Sequence, residues 1–286
     1  MNQAPRSRLR VLLTNDDGFE AAGIMALHQA LVREGIEVIT IAPQSNHTAG
    51  SHRITMDGYV EVHREGIEPT YSCSGTPADC VRVGVMGDEF PDIDLVVSGI
   101  NHGANAGEDI LYSGTLAAAA ESALLGIPAF GFSYNGDGPE VPFLTYADPV
   151  SFPDADFCAR LVSAACTSHP LPSNSFISVN LPQAQMTAAV PAFVGRRRWN
   201  DAMPELVAGD DSRRVFAPWG TVPDAIFEEG SDFAALRDGF ASVSLLTVTS
   251  GVKDAMSLTN ADDVKRYLSQ LIEAATAEFS IQAAPK

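Results

Sequence analysis

Lysine is scarce in this chain: of its 18 basic residues, the lysines are Lys253, Lys265 and Lys286. Acidic residues number 36, so the formal net charge is −18. Such a surface repels phosphate backbones and anionic headgroups, which argues against binding to a nucleic-acid duplex or to a membrane. Any site for a phosphorylated ligand must therefore be local, built from a metal ion, backbone amides or hydroxyl groups.

Cysteines and long apolar runs are also scarce. Not one window approaches the roughly 18 uninterrupted apolar residues of a membrane span, and the apolar run behind the N-terminal arginines is too short for a signal peptide. None of the cysteines forms a C-x-x-C pair, and their spacings do not match a zinc site; they are Cys73, Cys80, Cys158 and Cys166. We therefore expect free thiols in a reducing cytoplasm.

Hydrophobic periodicity predicts an α/β fold with a mostly parallel sheet and helices on both faces. A strand at 11–14, a helix at about 21–34 and a strand at 36–42 form a β-α-β unit of about 30 residues, which favours a right-handed crossover. Other apolar patterns predict further elements: strands at 95–97, 129–133, 176–180 and 243–249, an alanine-rich helix at about 115–125, and a final amphipathic helix starting near Asn260.

We predict a single domain over residues 1–286, with its core over about 9–190 and 231–280. The α/β rhythm is lost over 190–230, where arginines stand among prolines and glycines. This change of pattern predicts that residues 190–230 form an irregular or antiparallel arm that serves in oligomerisation. The stretch 135–153 is rich in Gly, Pro and Asp and predicts an excursion from the core.

Three polar loops leave the ends of predicted strands, at 15–18, 44–52 and 98–109. Ligands of an open parallel sheet bind in the crevice beyond the carboxyl ends of the strands. We therefore expect the three loops to meet at one edge of the sheet and to form the site together.

The first loop, Asn-Asp-Asp-Gly, places two adjacent carboxylates, Asp16 and Asp17, behind a buried strand. Their desolvation is costly unless a positive group lies between them. Mg²⁺ or Mn²⁺ prefers such hard oxygen ligands, and a hydroxyl from the second loop and an amide oxygen from the third would complete the set. The alternative is a turn without a function, for which Gly18 is well suited.

The third loop runs into Ser113-Gly114-Thr115, at the start of the alanine-rich helix. Two hydroxyls and several free backbone amides at the positive end of a helix dipole predict a phosphate site. Capping of the helix by Ser113 or Thr115 is the structural alternative. Three histidines in the polar loops are candidates for proton transfer or phosphate contact: His47, His52 and His102.

Two other patterns are poor matches to known sites. Gly99, Gly103 and Gly107 recur every four residues without a following lysine, which fits neither a dinucleotide fingerprint nor a P-loop. Asp92 and Asp94 resemble the Asp-x-Asp signature of phosphatases that form an aspartyl-phosphate. These aspartates precede their predicted strand, so we place them at the opposite edge of the sheet.

Together these loops resemble the SurE family of survival-protein 5′/3′-nucleotidases, also described as acid phosphatases. The resemblance is strong over about residues 10–133 and weaker at 178–182 and 231–235. The segments that carry it are Thr14–Gly18, Ala42-Pro43 with Asn46, Gly75–Cys80, Ser98–Asn101, Gly107–Asp109 and Tyr112–Thr115.

The resemblance implies a Rossmann-like fold and a divalent-metal-dependent phosphomonoesterase. Such an enzyme hydrolyses nucleoside monophosphates with one cation per subunit, Mg²⁺ or Mn²⁺, by attack of a metal-activated water. The family's metal ligands map onto Asp16, Asp17, Thr48 and Asn101, of which the two aspartates would also be catalytic. Its phosphate contacts map onto Asn105, Ser113, Gly114 and Thr115. The family's C-terminal arms imply a homodimer or a homotetramer.

The chain departs from the family pattern at three positions. Thr48 replaces the usual Ser but keeps its hydroxyl, His52 stands where Asn is frequent, and Ala104 stands where Pro is common. These departures bear on the substrate more than on the reaction. The alternatives are a phosphatase for a different small phosphate ester and a non-catalytic scaffold that binds a phosphate or a nucleotide.

Overall fold

The structure is a computed structural model that describes residues 8–66, 69–136, 152–198, 224–248 and 261–277, with two short strands at 205–207 and 215–216. The strands are β1 (Arg10–Thr14), β2 (Glu37–Pro43), β3 (Val62–Glu65), β4 (Thr70–Cys73), β5 (Leu95–His102), β6 (Ala129–Tyr134), β7 (Ser175–Leu181), β8 (Ala188–Pro191), β9 (Arg196–Arg198), β10 (Glu205–Val207), β11 (Val215–Phe216), β12 (Asp224–Ile226) and β13 (Phe240–Thr247). The helices are α1 (Ala22–Arg33), α2 (Pro77–Met86), α3 (Gly114–Leu124), α4 (Ala155–Thr167), α5 (Asp232–Arg237) and α6 (Ala261–Ala277), and a 3-10 helix spans Gly107–Leu111.

Nine strands form one mixed sheet in the order β3-β4-β2-β1-β5-β6-β7-β13-β8. The six central strands from β4 to β7 are mutually parallel, whereas β3 pairs antiparallel with β4 and β13 pairs antiparallel with β7. From β1 the chain builds the sheet outward through β2 in one direction and through β5 in the other. This change of direction places the crevice beyond the carboxyl ends of β1 and β5.

Helices cover both faces of the sheet, because its central strands are buried on both sides. On one face α1, α4 and α6 pack on the larger apolar cluster, and on the other α2 and α3 pack on the second cluster. The alanines of α3 allow that helix to approach closely. A Cβ on Gly131 of β6 would lie 2.4 Å from Leu116 of α3.

The predicted α/β fold, with a mostly parallel sheet and helices on both faces, is confirmed. The predicted antiparallel arm corresponds to two ribbons outside the main sheet, in which β9 pairs with β12 and β10 pairs with β11. The strands β3, β4 and β8 are not predicted from periodicity, because none contains a run of large apolar side chains and most of their residues are half-buried or exposed. The prediction for Asn260 and most of that for 135–153 lie outside the described residues.

Two features of composition have structural counterparts. All four cysteines are free thiols, as predicted, and three of them are buried. Within the part of the chain that the structure describes, no helix combines the length and the apolar character needed to cross a bilayer.

Helix α1 lies so close to β5 that only glycine fits at position 23. A Cβ there would lie 1.9 Å from the carbonyl oxygen of Ile100. We expect Gly23→Ala to lower the free energy of unfolding by about 2–3 kcal/mol, since backbone must move to make room.

Gly84→Ala in α2 is the matched control, because its Cβ meets terminal methyl groups of Leu12 and Ile41. Helix propensity favours that alanine by about 1 kcal/mol, so the loss should be smaller. Equal losses in urea denaturation would contradict this account.

Candidate active site

The three polar loops meet at the carboxyl ends of β1 and β5, as the sequence predicts. The backbone N–H of His102 donates to Oδ2 of Asp17 in the first loop at 3.0 Å. The prediction of a loop from residue 98 is wrong for Ser98–His102, which continue strand β5, so the third loop begins after His102. The backbone N–H of His47, in the second loop, donates to the carbonyl oxygen of Asp16 at 2.7 Å. The first loop is therefore bonded to the second loop and to the end of β5, from which the third loop leaves.

The first loop is a turn held by its own side chain. Asn15 Nδ2 donates to the carbonyl oxygen of Gly18 at 2.8 Å, and Asn15 Oδ1 accepts from the Gly18 N–H at 3.2 Å. Gly18 has φ +110°, a conformation that suits glycine. Because Asn15 closes the turn, Asp16 and Asp17 are presented to the crevice. The turn and the carboxylate site are therefore the same structure.

Asp16 is almost completely buried, with 3% of its surface exposed. The hydroxyl of Thr115 donates to its Oδ1, and a Cβ on Gly114 would lie 2.8 Å from its Oδ2. Burial, and then the neighbouring charge of Asp17, raise the pKa of Asp16 to about 6, although the Thr115 hydroxyl opposes the shift. A buried carboxylate beside a second one is the arrangement that a cation would stabilise.

Thr48 follows the His47 that is bonded to Asp16 O, in a segment of the second loop whose conformation needs support. The Thr48 N–H donates to Asn46 Oδ1 at 2.7 Å. Ala49 and Ser51 have φ of 58° and 51°, in the left-handed region that residues with a Cβ seldom adopt. Ser51 is tied to the start of α3, because its N–H donates to Tyr112 O at 3.0 Å and its hydroxyl donates to Leu111 O at 2.7 Å.

The end of β5 supplies Asn101, and the third loop behind it supplies Asn105. Asn101 Nδ2 donates to Gly103 O at 2.8 Å, so the amide oxygen is the atom that Asn101 can offer to a cation. Asn105 Nδ2 donates to Ser133 Oγ at 2.7 Å. An amide nitrogen carries two hydrogens, so Asn105 can make this bond and donate to a phosphate oxygen as well.

Asn180 holds the backbone of Asn105 from β7. Its Oδ1 accepts from the Asn105 N–H at 2.8 Å, and its Nδ2 donates to the Asn105 carbonyl at 3.3 Å. Sequence reasoning gave no role to Asn180 or to Ser133. Their signal was a polar residue near the carboxyl end of an apolar strand, which is the position that faces the crevice.

The residues of the predicted phosphate site divide between two tasks. Ser113 Oγ accepts from the Leu116 N–H at 3.0 Å, so Ser113 is the N-cap of α3. The Thr115 hydroxyl is directed to Asp16 instead. The first backbone amides of a helix have no partner within the helix. Gly114 and Thr115 therefore bring such amides, at the positive end of α3, against the Asp16 carboxylate.

The arm holds the far end of the third loop. Asp232, at the start of α5, accepts from the Gly107 N–H at 2.8 Å and from the Gly195 N–H at 2.9 Å. Arg197 Nε, in β9, donates to Asp109 Oδ1 at 2.8 Å, and its guanidinium lies 4.8 Å from the centre of the Phe233 ring. These contacts couple the 3-10 helix to the arm.

The remaining candidates are placed as follows. Burial lowers the pKa of both His47 and His102, which favours neutral imidazoles at neutral pH. Asp94 Oδ2 accepts at 2.8 Å from the N–H of Arg10, the first residue of β1. The Asp92/Asp94 pair therefore lies at the opposite edge from Asp16, as predicted.

The donor set is the kind that a hard cation prefers. Among the described residues, no group of three or more His, Cys, Asp or Glu side chains is arranged to hold a metal ion. A cation in this crevice would be held by two carboxylates, with hydroxyl and amide oxygens completing its ligands. Such an oxygen-only set with few charges suits Mg²⁺ or Mn²⁺ and leaves room for water.

Comparison with known proteins identifies the family. The family model described as Survival protein SurE matches residues 11–201, which include all three loops and the start of α3. The chain belongs to the SurE family. It is 39% identical to the 5'-nucleotidase SurE of Rubrobacter xylanophilus over 87% of this chain and 97% of that protein. It is 36% identical to the 5'-nucleotidase SurE of Aeromonas hydrophila over 84% of this chain and 92% of that protein.

A solved member of the SurE family has the same fold. The crystal structure of SurE protein from Aquifex aeolicus superimposes with a TM-score of 0.69 at 30% sequence identity. The match covers 91% of this chain and 99% of that one.

The raised pKa of Asp16 predicts a pH-dependent stability in protein stripped of metal. Below its ordinary pKa of 3.8 the carboxyl is neutral in both the folded and the unfolded states. Between pH 3.8 and about 6 only the unfolded state ionises, so the folded state loses stability as the pH rises. We expect Asp16→Asn to be more stable than wild type by about 3 kcal/mol above pH 6, and by almost nothing at pH 4. Urea denaturation with a chelator measures this, and a difference that does not vary with pH would contradict it.

Proposed function

We propose that this protein is a nucleotidase that hydrolyses nucleoside monophosphates with one divalent cation per subunit. Two findings support the proposal: the curated relatives are 5'-nucleotidases at 36–39% identity, and the crevice holds oxygen ligands beside a helix N-terminus. The observation that carries it is the close approach of Gly114 to Asp16: a Cβ added to Gly114 would lie 2.8 Å from Asp16 Oδ2. This approach supports a cation site next to an anion site, as a phosphate ester bound to a metal requires.

Asp16, Asp17, Thr48 and Asn101 would hold Mg²⁺ or Mn²⁺. When bound, the cation lowers the pKa of a water and polarises a phosphoryl oxygen. Asp16 or Asp17 orients the attacking water and takes its proton. Asp17 is held for this task by the His102 N–H on its Oδ2, and Asp16 by the Thr115 hydroxyl on its Oδ1.

The start of α3 and Asn105 would bind the phosphoryl group. The N–H of Gly114 and the amide of Asn105 are donors fixed before the substrate arrives, whereas the Thr115 N–H is bonded to the Asp16 carboxylate. The transition state of phosphoryl transfer spreads negative charge over the equatorial oxygens, so fixed donors directed at them stabilise it. Ser113 acts here mainly by capping α3, which keeps these amides in place.

Other reaction classes fit less well. Asp92 and Asp94 lie at the opposite edge of the sheet, so an aspartyl-phosphate mechanism through them would need a second active site. A phosphatase for another small phosphate ester would use the same crevice. A non-catalytic scaffold would bind such an ester in the crevice without hydrolysing it. We further propose a cytoplasmic homodimer or homotetramer in which the arm contributes to subunit contacts.

Loss of a metal-ligand carboxylate should abolish most of the activity. We expect Asp16→Asn to lower kcat with nucleoside monophosphates by about two or more powers of ten, because a charged ligand that also positions the water is lost. Phosphate release from purified protein measures this, with Mg²⁺ or Mn²⁺ present.

Two controls separate the alternatives. Asp92→Asn should keep wild-type turnover, whereas an aspartyl-phosphate mechanism through Asp92 requires its loss. EDTA should stop phosphate release, and Mn²⁺ should restore it. A folded wild type that releases phosphate from no ester, with either metal, would leave only the binding scaffold. Near-wild-type turnover of Asp16→Asn would contradict the assignment of Asp16 as a metal ligand of the active site.

A further inference from the structure

A buried carboxylate that the proposed reaction does not use lies in the middle of α3. Glu121 has 4% of its surface exposed. Its Oε1 accepts from Arg82 Nη1 at 2.6 Å, and its Oε2 accepts from His52 Nε2 at 2.9 Å. Arg82 belongs to α2, whereas His52 is the last residue of the second loop. The carboxylate therefore links three separate parts of the chain.

The second loop needs such a link, because its backbone is in an unfavourable conformation around Thr48. Two non-glycine residues just after Thr48, Ala49 and Ser51, have left-handed backbone conformations. Such conformations are unfavourable and persist only where the surroundings hold them. The position of the Thr48 hydroxyl thus depends on what fixes the two ends of the loop.

Backbone bonds hold the entry of the loop and side chains hold its exit. At the entry, the Gln44 N–H donates to Cys73 O at 2.8 Å and the His47 N–H donates to Asp16 O. At the exit, Ser51 is bonded to the residues just before α3, and His52 is bonded to Glu121 two turns into that helix. Glu121 is therefore the contact between the exit of the loop and the body of the helix that carries the proposed phosphate site.

We propose that Glu121 is a positioning residue: through His52 it holds the second loop against α3 and so keeps Thr48 in place, next to the His47 whose N–H is bonded to Asp16 O. The part that concerns Thr48 as a metal ligand rests on the proposed function. Arg82 has a different task, since it neutralises the buried carboxylate from α2 and does not touch the loop. Partners that orient metal ligands from behind commonly change metal affinity when they are removed.

Binding of Mn²⁺, followed by electron paramagnetic resonance, tests the link without measuring turnover. Glu121→Met keeps the length of the side chain but removes both acceptors, and we expect it to raise the Kd for Mn²⁺ by about tenfold or more. Glu121→Gln keeps an acceptor oxygen for His52 Nε2, so its Kd should stay within about threefold of wild type. Rescue by Gln separates a hydrogen-bonding role from simple loss of packing.

Arg82→Met is the matched control, because it removes the other partner of Glu121 and leaves the His52 bond. We expect it to lower the Tm while the Kd for Mn²⁺ stays within about threefold of wild type. His52→Leu should weaken Mn²⁺ binding as Glu121→Met does. The double variant with Glu121→Met and His52→Leu should bind Mn²⁺ no more weakly than either single variant, because both changes break the same hydrogen bond.

Hydrogen exchange in metal-free protein gives a second readout that does not depend on metal binding. Amides of residues 44–52 should exchange about tenfold faster in Glu121→Met and in His52→Leu, but not in Arg82→Met, because only the first two variants release the loop. Unchanged exchange in Glu121→Met, or equal acceleration in Arg82→Met, would overturn the proposal. Faster exchange in a protein whose wild type binds no Mn²⁺ would keep the loop link and overturn the proposed metal site instead.

Discussion

The contact between the first turn of α3 and the carboxylate of Asp16 is the constraint on which the site depends. It requires glycine at position 114, directs the Thr115 hydroxyl away from solvent, and buries a charged group beside a second one. Burial and like charge both oppose ionisation of Asp16, as its raised pKa reports. The helix dipole and a bound cation are the two features that can offset this cost.

Side chains behind the crevice hold the loops that form it. Asn180 binds the backbone of Asn105, Asp232 binds the backbone of Gly107, and Glu121 binds the end of the second loop. Each holder lies in, or directly beside, a strand or a helix of the core. The loops contain many glycines and polar residues and have little apolar surface to bury, so hydrogen bonds from a rigid core replace packing as the source of their order.

The electrostatics of the site are local, in contrast to those of the whole chain. A formal net charge of −18 gives no long-range attraction to a phosphate ester. In the proposed reaction, attraction would come from groups within a few ångströms: the start of α3, the amide of Asn105, and a divalent cation held by the carboxylates. A cation held by two carboxylates also carries little excess positive charge, so the helix amides are needed as well.

The sequence by itself determined the α/β class, the parallel core and the three loops of the site. These follow from the spacing and length of the apolar runs alone: the runs at 11–14 and 95–97 are too short for helices, and polar loops behind such runs must lie at the carboxyl edge of the sheet.

Tertiary structure decided the rest. The short strands β3, β4 and β8 carry too weak a periodic signal to predict. The roles of Ser133, Asn180 and Glu121 depend on partners 28, 75 and 69 residues away along the chain. Which hydroxyl caps α3 and which binds Asp16 was open in the sequence, because Ser113 and Thr115 have the same donor chemistry. Only the close approach of α3 to Asp16, in the loop after β1, separates them.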